Sequence, residues 1–127
     1  MKKEYSYRES YPIIEIELIG PQRRVKTLAL IDSGANVSLF RPEIAELLGI
    51  SLEGGKEISL FGIGGEIKGY LHQIPIEINR DQFDCKIIFS REMGTSISLL
   101  GRDNFFLPFL ITFNEKFQRF IIERHPG

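Results

Sequence analysis

The segment Ile31-Asp32-Ser33-Gly34-Ala35 sets a carboxylate, a short hydroxyl and a glycine in succession behind a run of apolar residues. A carboxylate at the end of a buried strand can serve as an acid or a base if its backbone can approach another reacting group closely. Gly34 removes the Cβ that would obstruct such an approach, and Ser33 offers a hydroxyl for fixing the loop. Asp-Ser-Gly also makes an Asx-type turn capping a strand with no chemistry attached, and on the tripeptide alone that alternative is the favoured one. A serine nucleophile on a strained elbow needs a G-x-S-x-G frame around Ser33, which Ile31 breaks. Asn36-Val37-Ser38 matches a glycosylation acceptor in pattern only, since no secretory signal accompanies it.

Two further places carry potential chemistry. Phe61-Gly62-Ile63-Gly64-Gly65-Glu66-Ile67-Lys68-Gly69-Tyr70 is dense in glycine between two strand-like stretches, which predicts a mobile hairpin tip able to approach a ligand closely. A phosphate loop is the rival, and it fails because no Gly-Lys-Ser/Thr closes the segment and no helix follows it. Ile97-Ser98-Leu99-Leu100-Gly101-Arg102-Asp103 ends a buried strand on two large apolar residues and a glycine, with a single helical turn predicted before Pro108. Alone, Arg102 reads as a surface ion pair contributing about 0 to 1 kcal/mol.

The elements that must position these residues are mostly strands. Ile14, Ile16 and Leu18 alternate with Glu15 and Glu17, the period of a strand with one face buried. Gly20 to Arg24 reads as a turn, and residues 25–31 are apolar on both faces, as in a strand running into the interior and ending at Asp32. Pro42, then Ile44, Leu47 and Leu48, then Gly49 predict one short amphipathic helix. Further strands are predicted around Ile58 and Leu60, around Ile74, Ile76 and Ile78, from Phe83 to Phe89, and in a hairpin of 109–113 with 117–122. No helical segment is long enough for βαβ crossovers, which leaves a mainly β, mostly antiparallel barrel.

Composition narrows the function. The chain has 127 residues, 16 Lys plus Arg against 17 Asp plus Glu, and a formal charge of −1. That suits a single domain over residues 1–127, and gives no clustered basic excess for nucleic acid or an anionic membrane. Cys85 alone cannot form an intrachain disulfide, and no Cys/His spacing suits a structural metal. No apolar run approaches a membrane span or a leader, so a cytoplasmic location without cofactor or metal is the expectation. The first 11 residues are expected to fray.

In this order, Asp32-Ser33-Gly34-Ala35, Gly62-Ile63-Gly64-Gly65 and Leu99-Leu100-Gly101-Arg102-Asp103 resemble the motifs of the retropepsins, the retroviral-type aspartic proteases. Gly62 to Gly65 with Ile67-Lys68, then Gln73-Ile74-Pro75-Ile76-Glu77-Ile78, is similar to the flap and following strand of lentiviral proteases. The resemblance spans residues 12–106 and implies a closed or partly open antiparallel β-barrel of the retropepsin type, with one or two short helices. Retropepsins are homodimers in which each subunit lends one Asp, so a single Asp-Ser-Gly implies one half of a two-fold dimer.

The resemblance makes Asp32 the catalytic aspartate. Ser33 would brace the opposite loop, with Gly34, Ala35 and Asn36 meeting substrate backbone. Gly62, Ile63, Gly64 and Gly65 would form the flap, and Leu99, Leu100, Gly101 and Arg102 the supporting loop. Asn36 stands where the family often has an Asp, which removes one charge from the expected pairing with Arg102. The implied activity is aspartic endopeptidase action on extended polypeptides, with water activated by two Asp32 carboxylates sharing a proton. The alternative is a dimerising, peptide-binding module of the same fold that does not cut, and a third reading is a monomer or inactive precursor. Beyond Asp103 the chain runs on for 24 residues, with six Phe between Phe105 and Phe120. The hairpin within residues 107–124 is expected either to build a dimer interface or close the barrel, or, with equal weight, to be an ordinary core hairpin.

Overall fold

The computed structural model describes residues 2–62 and 64–127. The chain runs through β1 (Lys2–Ser6), β2 (Ile13–Ile19), β3 (Arg24–Ile31), β4 (Ser38–Phe40), α1 (Pro42–Leu48), β5 (Lys56–Gly62), β6 (Gly65–Ile78), β7 (Asp81–Phe89), β8 (Ser98–Leu100), β9 (Phe109–Asn114) and β10 (Arg119–Arg124). A short 3₁₀ turn at Leu52–Gly54 and a kinked helical turn at Arg102–Phe106 complete the elements described.

The larger sheet runs β2-β3-β8-β4-β7-β6-β5, and β2 also pairs with β6, which closes the strands from β2 to β6 into a barrel. β5 stays outside the ring as the second arm of a hairpin with β6. The ring is mostly antiparallel, as the sequence predicts, but β3–β8 and β4–β7 are parallel. Alternation decides the core: Ile14, Ile16 and Leu18 of β2 are buried, and Ile74, Ile76 and Ile78 of β6 face Cys85, Ile87 and Phe89 of β7 across the same interior. Asn79 and Arg80, both at positive φ (48° and 72°), make the two-residue turn joining β6 to β7, whose backbone twist suits a tight hairpin.

Three expectations are corrected. β3 is not buried on both faces: Val25, Ala29 and Ile31 point inward, while Leu28 is 39% exposed, because a barrel strand has one face outside the ring. In α1 the inward residues are Ala45 and Leu48, with Leu47 exposed. The helix does begin on Pro42 and stop at Gly49, whose positive φ of 81° lets its N–H close the last turn. Where the N-terminal residues are expected to be irregular, Lys2–Ser6 form a strand, β1 pairing with β10 from Lys2↔Glu123 to Ser6↔Arg119. Tyr5 supplies the reason, its ring stacking on Phe120 at 5.0 Å, and an Arg119–Glu4 ion pair at 3.0 Å lies over the same pairing.

The C-terminal hairpin forms as expected, β9 pairing with β10, but it closes no barrel. With β1 it makes a separate three-stranded sheet, β1-β10-β9. Much of the phenylalanine load is core within this one chain. Phe105, Phe109 and Phe120 are buried, and Phe83 of β7 packs edge-on to Phe109 at 5.2 Å. Phe117, read as strand from the sequence, sits in the turn and is 65% exposed.

Candidate active site

β3 delivers the chain to Asp32 along a buried path, and the parallel pairing with β8 extends one residue further, the Asp32 N–H donating to the Leu100 carbonyl at 2.9 Å. The loop then folds on itself. The Gly34 N–H donates to the Asp32 carboxylate (Oδ1) at 2.9 Å and the Ala35 N–H to the Asp32 carbonyl at 3.1 Å. This is the Asx-type turn weighed from the sequence, so turn-making and carboxylate presentation are the same piece of backbone. A Cβ on Gly34 would lie 3.3 Å from that carboxylate oxygen, tight enough to disturb the bond. Asp32 is half-buried, Ser33, Gly34 and Asn36 are exposed, and Ala35 is half-buried.

The segment after β8 clasps this loop. The N–H groups of Arg102 and Asp103 donate to the carbonyls of Ala35 and Asn36 at 2.9 and 2.8 Å. The Arg102 guanidinium donates to the Asn36 side-chain oxygen, so the contact persists as a neutral-acceptor hydrogen bond without an ion pair. Gly101 passes directly over Val37, with its N–H on the buried Ser38 hydroxyl at 3.0 Å. In return the Arg41 N–H donates to the buried Ser98 hydroxyl at 3.2 Å. Leu100 is fully buried and Leu99 half-buried. The structure thus brings residues 32–36 and 99–102 into one backbone-bonded unit. Ser38 and Ser98 belong to it and were missed, since a serine inside a short apolar strand gives no sign that its hydroxyl satisfies a remote N–H. Left unpaired, each such buried group would cost about 1 to 3 kcal/mol.

The glycine-rich hairpin stands apart from this unit. Gly62 pairs with Gly65 at its end, and a Cβ on Gly64 or Gly65 would meet nothing within 4 Å. Gly65 has a φ of 105°, a conformation that favours glycine. Ile63 lies outside the described residues. Further down the arm, the Ser90 hydroxyl donates to the Lys68 carbonyl at 2.6 Å and Glu92 accepts the Lys68 N–H at 3.0 Å, which fixes the base of the hairpin.

Between the hairpin base and the Asp32 loop lies a cavity of about 190 Å³, lined by Val37, Ile58, Leu71 and Ile88, with Lys86 and Asp103 among its walls, 3.8 Å apart. None of these could be assigned from the sequence, because inward or outward facing depends on register. The Cys85 thiol is buried, and burial pushes it from 9.0 up to about 12, with a Ser38 hydrogen bond opposing the rise and Asp103 adding to it. We expect no alkylation of Cys85 by iodoacetamide at neutral pH until the chain unfolds, read by mass spectrometry. The folded thiol has the higher pKa, so its contribution to stability is intact below about 9.0 and falls as pH rises above that and the unfolded thiol ionises. Unfolding midpoints that stay level from pH 8 to 11 would contradict this.

Among the described residues, no helix is long and apolar enough to cross a membrane, and no three His, Cys, Asp or Glu side chains group as a metal site requires. No family model matches the sequence, and neither does any curated protein. Solved structures do match the fold. A retropepsin-like aspartic protease from Rickettsia conorii superposes with a TM-score of 0.69 at 17% identity, over 96% of this chain and 89% of that one. EIAV protease complexed with the inhibitor HBY-793 gives 0.60 at 17% identity, over 77% of this chain and 88% of that one. The fold is therefore the mainly β barrel of the retropepsin type.

Proposed function

We propose that this protein is an aspartic endopeptidase whose site is completed by a second copy of the chain. The observation that carries the reading is the half-buried Asp32 carboxylate, held at the end of β3 by the Gly34 N–H and a clasp of backbone bonds from Leu100, Arg102 and Asp103. It supports the reading because the barrel around it matches two aspartic proteases in fold.

The chemistry follows from bringing two such carboxylates together. Both cannot ionise easily at close range, so the pair shares a proton and titrates as a unit. The charged member takes a proton from water as it attacks the peptide carbonyl. The protonated member polarises that carbonyl and later helps to protonate the leaving amine. Ser33, exposed beside Asp32, braces the opposite loop, while Gly34, Ala35 and Asn36 offer backbone to the substrate. Gly62, Ile63, Gly64 and Gly65 close over a strand-like peptide, excluding water and adding main-chain hydrogen bonds. Leu99, Leu100, Gly101 and Arg102 keep the loop in place, and the whole of 1–127 works as one unit.

The test is cleavage of an unstructured polypeptide such as casein by the purified chain. We expect pepstatin or a peptidomimetic aspartic protease inhibitor to block it, specific activity to rise with protein concentration as dimers form, and rate to depend on pH in a bell shape. A polypeptide that binds and returns intact after long incubation, at concentrations where the chain is dimeric, would leave only the peptide-binding alternative.

A further inference from the structure

β6 outruns its partner. It pairs with β7 from Ile78↔Asp81 to Tyr70↔Phe89, where β7 ends, while its pairing with β5 runs on to Gly65. Bonded groups alternate in an antiparallel ladder, so Lys68 is the next β6 residue after Tyr70 to turn its N–H and C=O away from β5. By register Arg91 would receive them, but the chain has turned aside and Arg91 pairs with Glu53. Side chains take the place of the missing strand. The buried Ser90 hydroxyl donates to the Lys68 carbonyl, and a Glu92 carboxylate oxygen accepts the Lys68 N–H. The Glu92 N–H donates to the same Ser90 oxygen at 3.0 Å, which fixes the two against each other.

Among the described residues, no hydrogen bond or ion pair joins the arm between Lys68 and the hairpin end to the barrel. The residue on the other side of Lys68 makes a pivot. Gly69 is buried, and a Cβ there would lie 2.5 Å from Cγ2 of Ile88, itself a wall of the cavity. β6 thus rests on β7 at Gly69 and is tied down one residue further out. From Glu92 the chain runs to Ser96, whose carbonyl accepts the Arg41 guanidinium at 2.8 Å, and on into β8, where the Leu100 carbonyl holds the Asp32 N–H.

We propose that Glu92 is the catch of the glycine-rich hairpin, a positioning residue that holds the arm against the barrel through the Lys68 N–H. Swinging the arm about Gly69 to admit a polypeptide breaks the Glu92 bond, and closing over the polypeptide remakes it. The bond belongs to the closed state, so its free energy adds to the hold on whatever the hairpin covers. Of the two contacts at Lys68 this is the one that can be released. Glu92 is exposed and its carboxylate can exchange the N–H for water, whereas the Ser90 hydroxyl is buried. The Lys68 ammonium takes no part, since it pairs with Glu57 on the arm itself. The inference rests on the proposal that the hairpin closes over a peptide at Asp32, and it adds the residue that sets how firmly.

The experiment measures steady-state cleavage by the full chain, with a nitroxide on Glu66→Cys as a readout that needs no activity. Glu66 is exposed, and the buried Cys85 leaves the label a single thiol to find. Glu92→Ala should raise KM about tenfold, the size of one hydrogen bond to a charged group, with kcat within about twofold of the parent. The nitroxide should become more mobile while the unfolding temperature stays the same. Glu92→Gln keeps an oxygen for the N–H and should recover most of the parental KM and the parental spectrum. Lys68→Ala keeps the N–H and should resemble the parent. Glu92→Ala with parental KM and spectrum would overturn the catch, as would Glu92→Gln or Lys68→Ala behaving like Glu92→Ala. A fall in kcat at unchanged KM would overturn it too, placing Glu92 with the support of the Asp32 loop. A parent that cleaves nothing, while Glu92→Ala still loosens the nitroxide, would leave the catch standing and overturn the protease reading.

Discussion

Asp32→Asn should reduce peptide cleavage by at least about a thousandfold, within the range that positioned acid–base groups contribute. Asparagine keeps the shape of the side chain and an oxygen that can still accept the Gly34 N–H, now 2.9 Å from Oδ1. The bonds tying this position to Leu100 and Ala35 are made by backbone, and the substitution does not touch them. What disappears is the group that takes and returns a proton, and in a homodimer it disappears from both sides at once. The substituted chain should therefore unfold at the same temperature, sediment as the parent does and still retain inhibitor weakly, with only turnover lost. Cleavage that survives the change, in protein free of contaminating protease, would mean that Asp32 is merely a turn residue.

Gly101→Ala carries the largest expected cost in stability, about 3 kcal/mol or more, at the upper end of what overpacking produces. A Cβ there would lie 2.2 Å from the Val37 carbonyl oxygen and 2.5 Å from its carbon, both backbone atoms fixed by pairing on either side. Relief requires parting Gly101 from Val37, and the Ser38 hydrogen bond at 3.0 Å and the Arg102 and Asp103 contacts with the loop go with it. The comparison is Gly64→Ala, where a Cβ meets nothing within 4 Å and stability should stay within about 0.5 kcal/mol. Urea unfolding of the two variants beside the parent reads the difference directly. Equal midpoints for Gly101→Ala and the parent would show that the crossing at Val37 can open without cost.

Local pattern made much of the barrel legible. Alternation marked Ile14, Ile16 and Leu18, the pair Pro42 and Gly49 bounded the helix, and Asp32 was placed at the end of a strand because an apolar run leads to it. What escaped depends on partners distant in sequence. β8 and β4 are three residues each, and nothing within Ser98–Leu100 announces that it lies parallel to β3 and antiparallel to β4. β1 looked frayed because its charges are local while the Tyr5–Phe120 stacking that holds it is not. Leu47 looked like core because it stands three residues after Ile44, yet the inward face of the helix is set by the smaller Ala45 with Leu48. The cavity wall formed by Ile58, Leu71 and Ile88 follows from strand register, which composition does not encode.

The clasp on the Asp32 loop also has a bearing on when the molecule becomes competent. A chain grows from its N-terminus at about 5 to 20 residues per second, and contacts between distant segments must wait for the later one. Asp32 is made long before Leu100, Arg102 and Asp103, whose backbone bonds hold its loop. β1 likewise emerges first and waits for β10, leaving Tyr5 without the ring of Phe120 in the meantime. A growing chain thus lacks the frame around Asp32 until residues 100–103 have left the ribosome, and a product broken off before them carries the aspartate without those bonds.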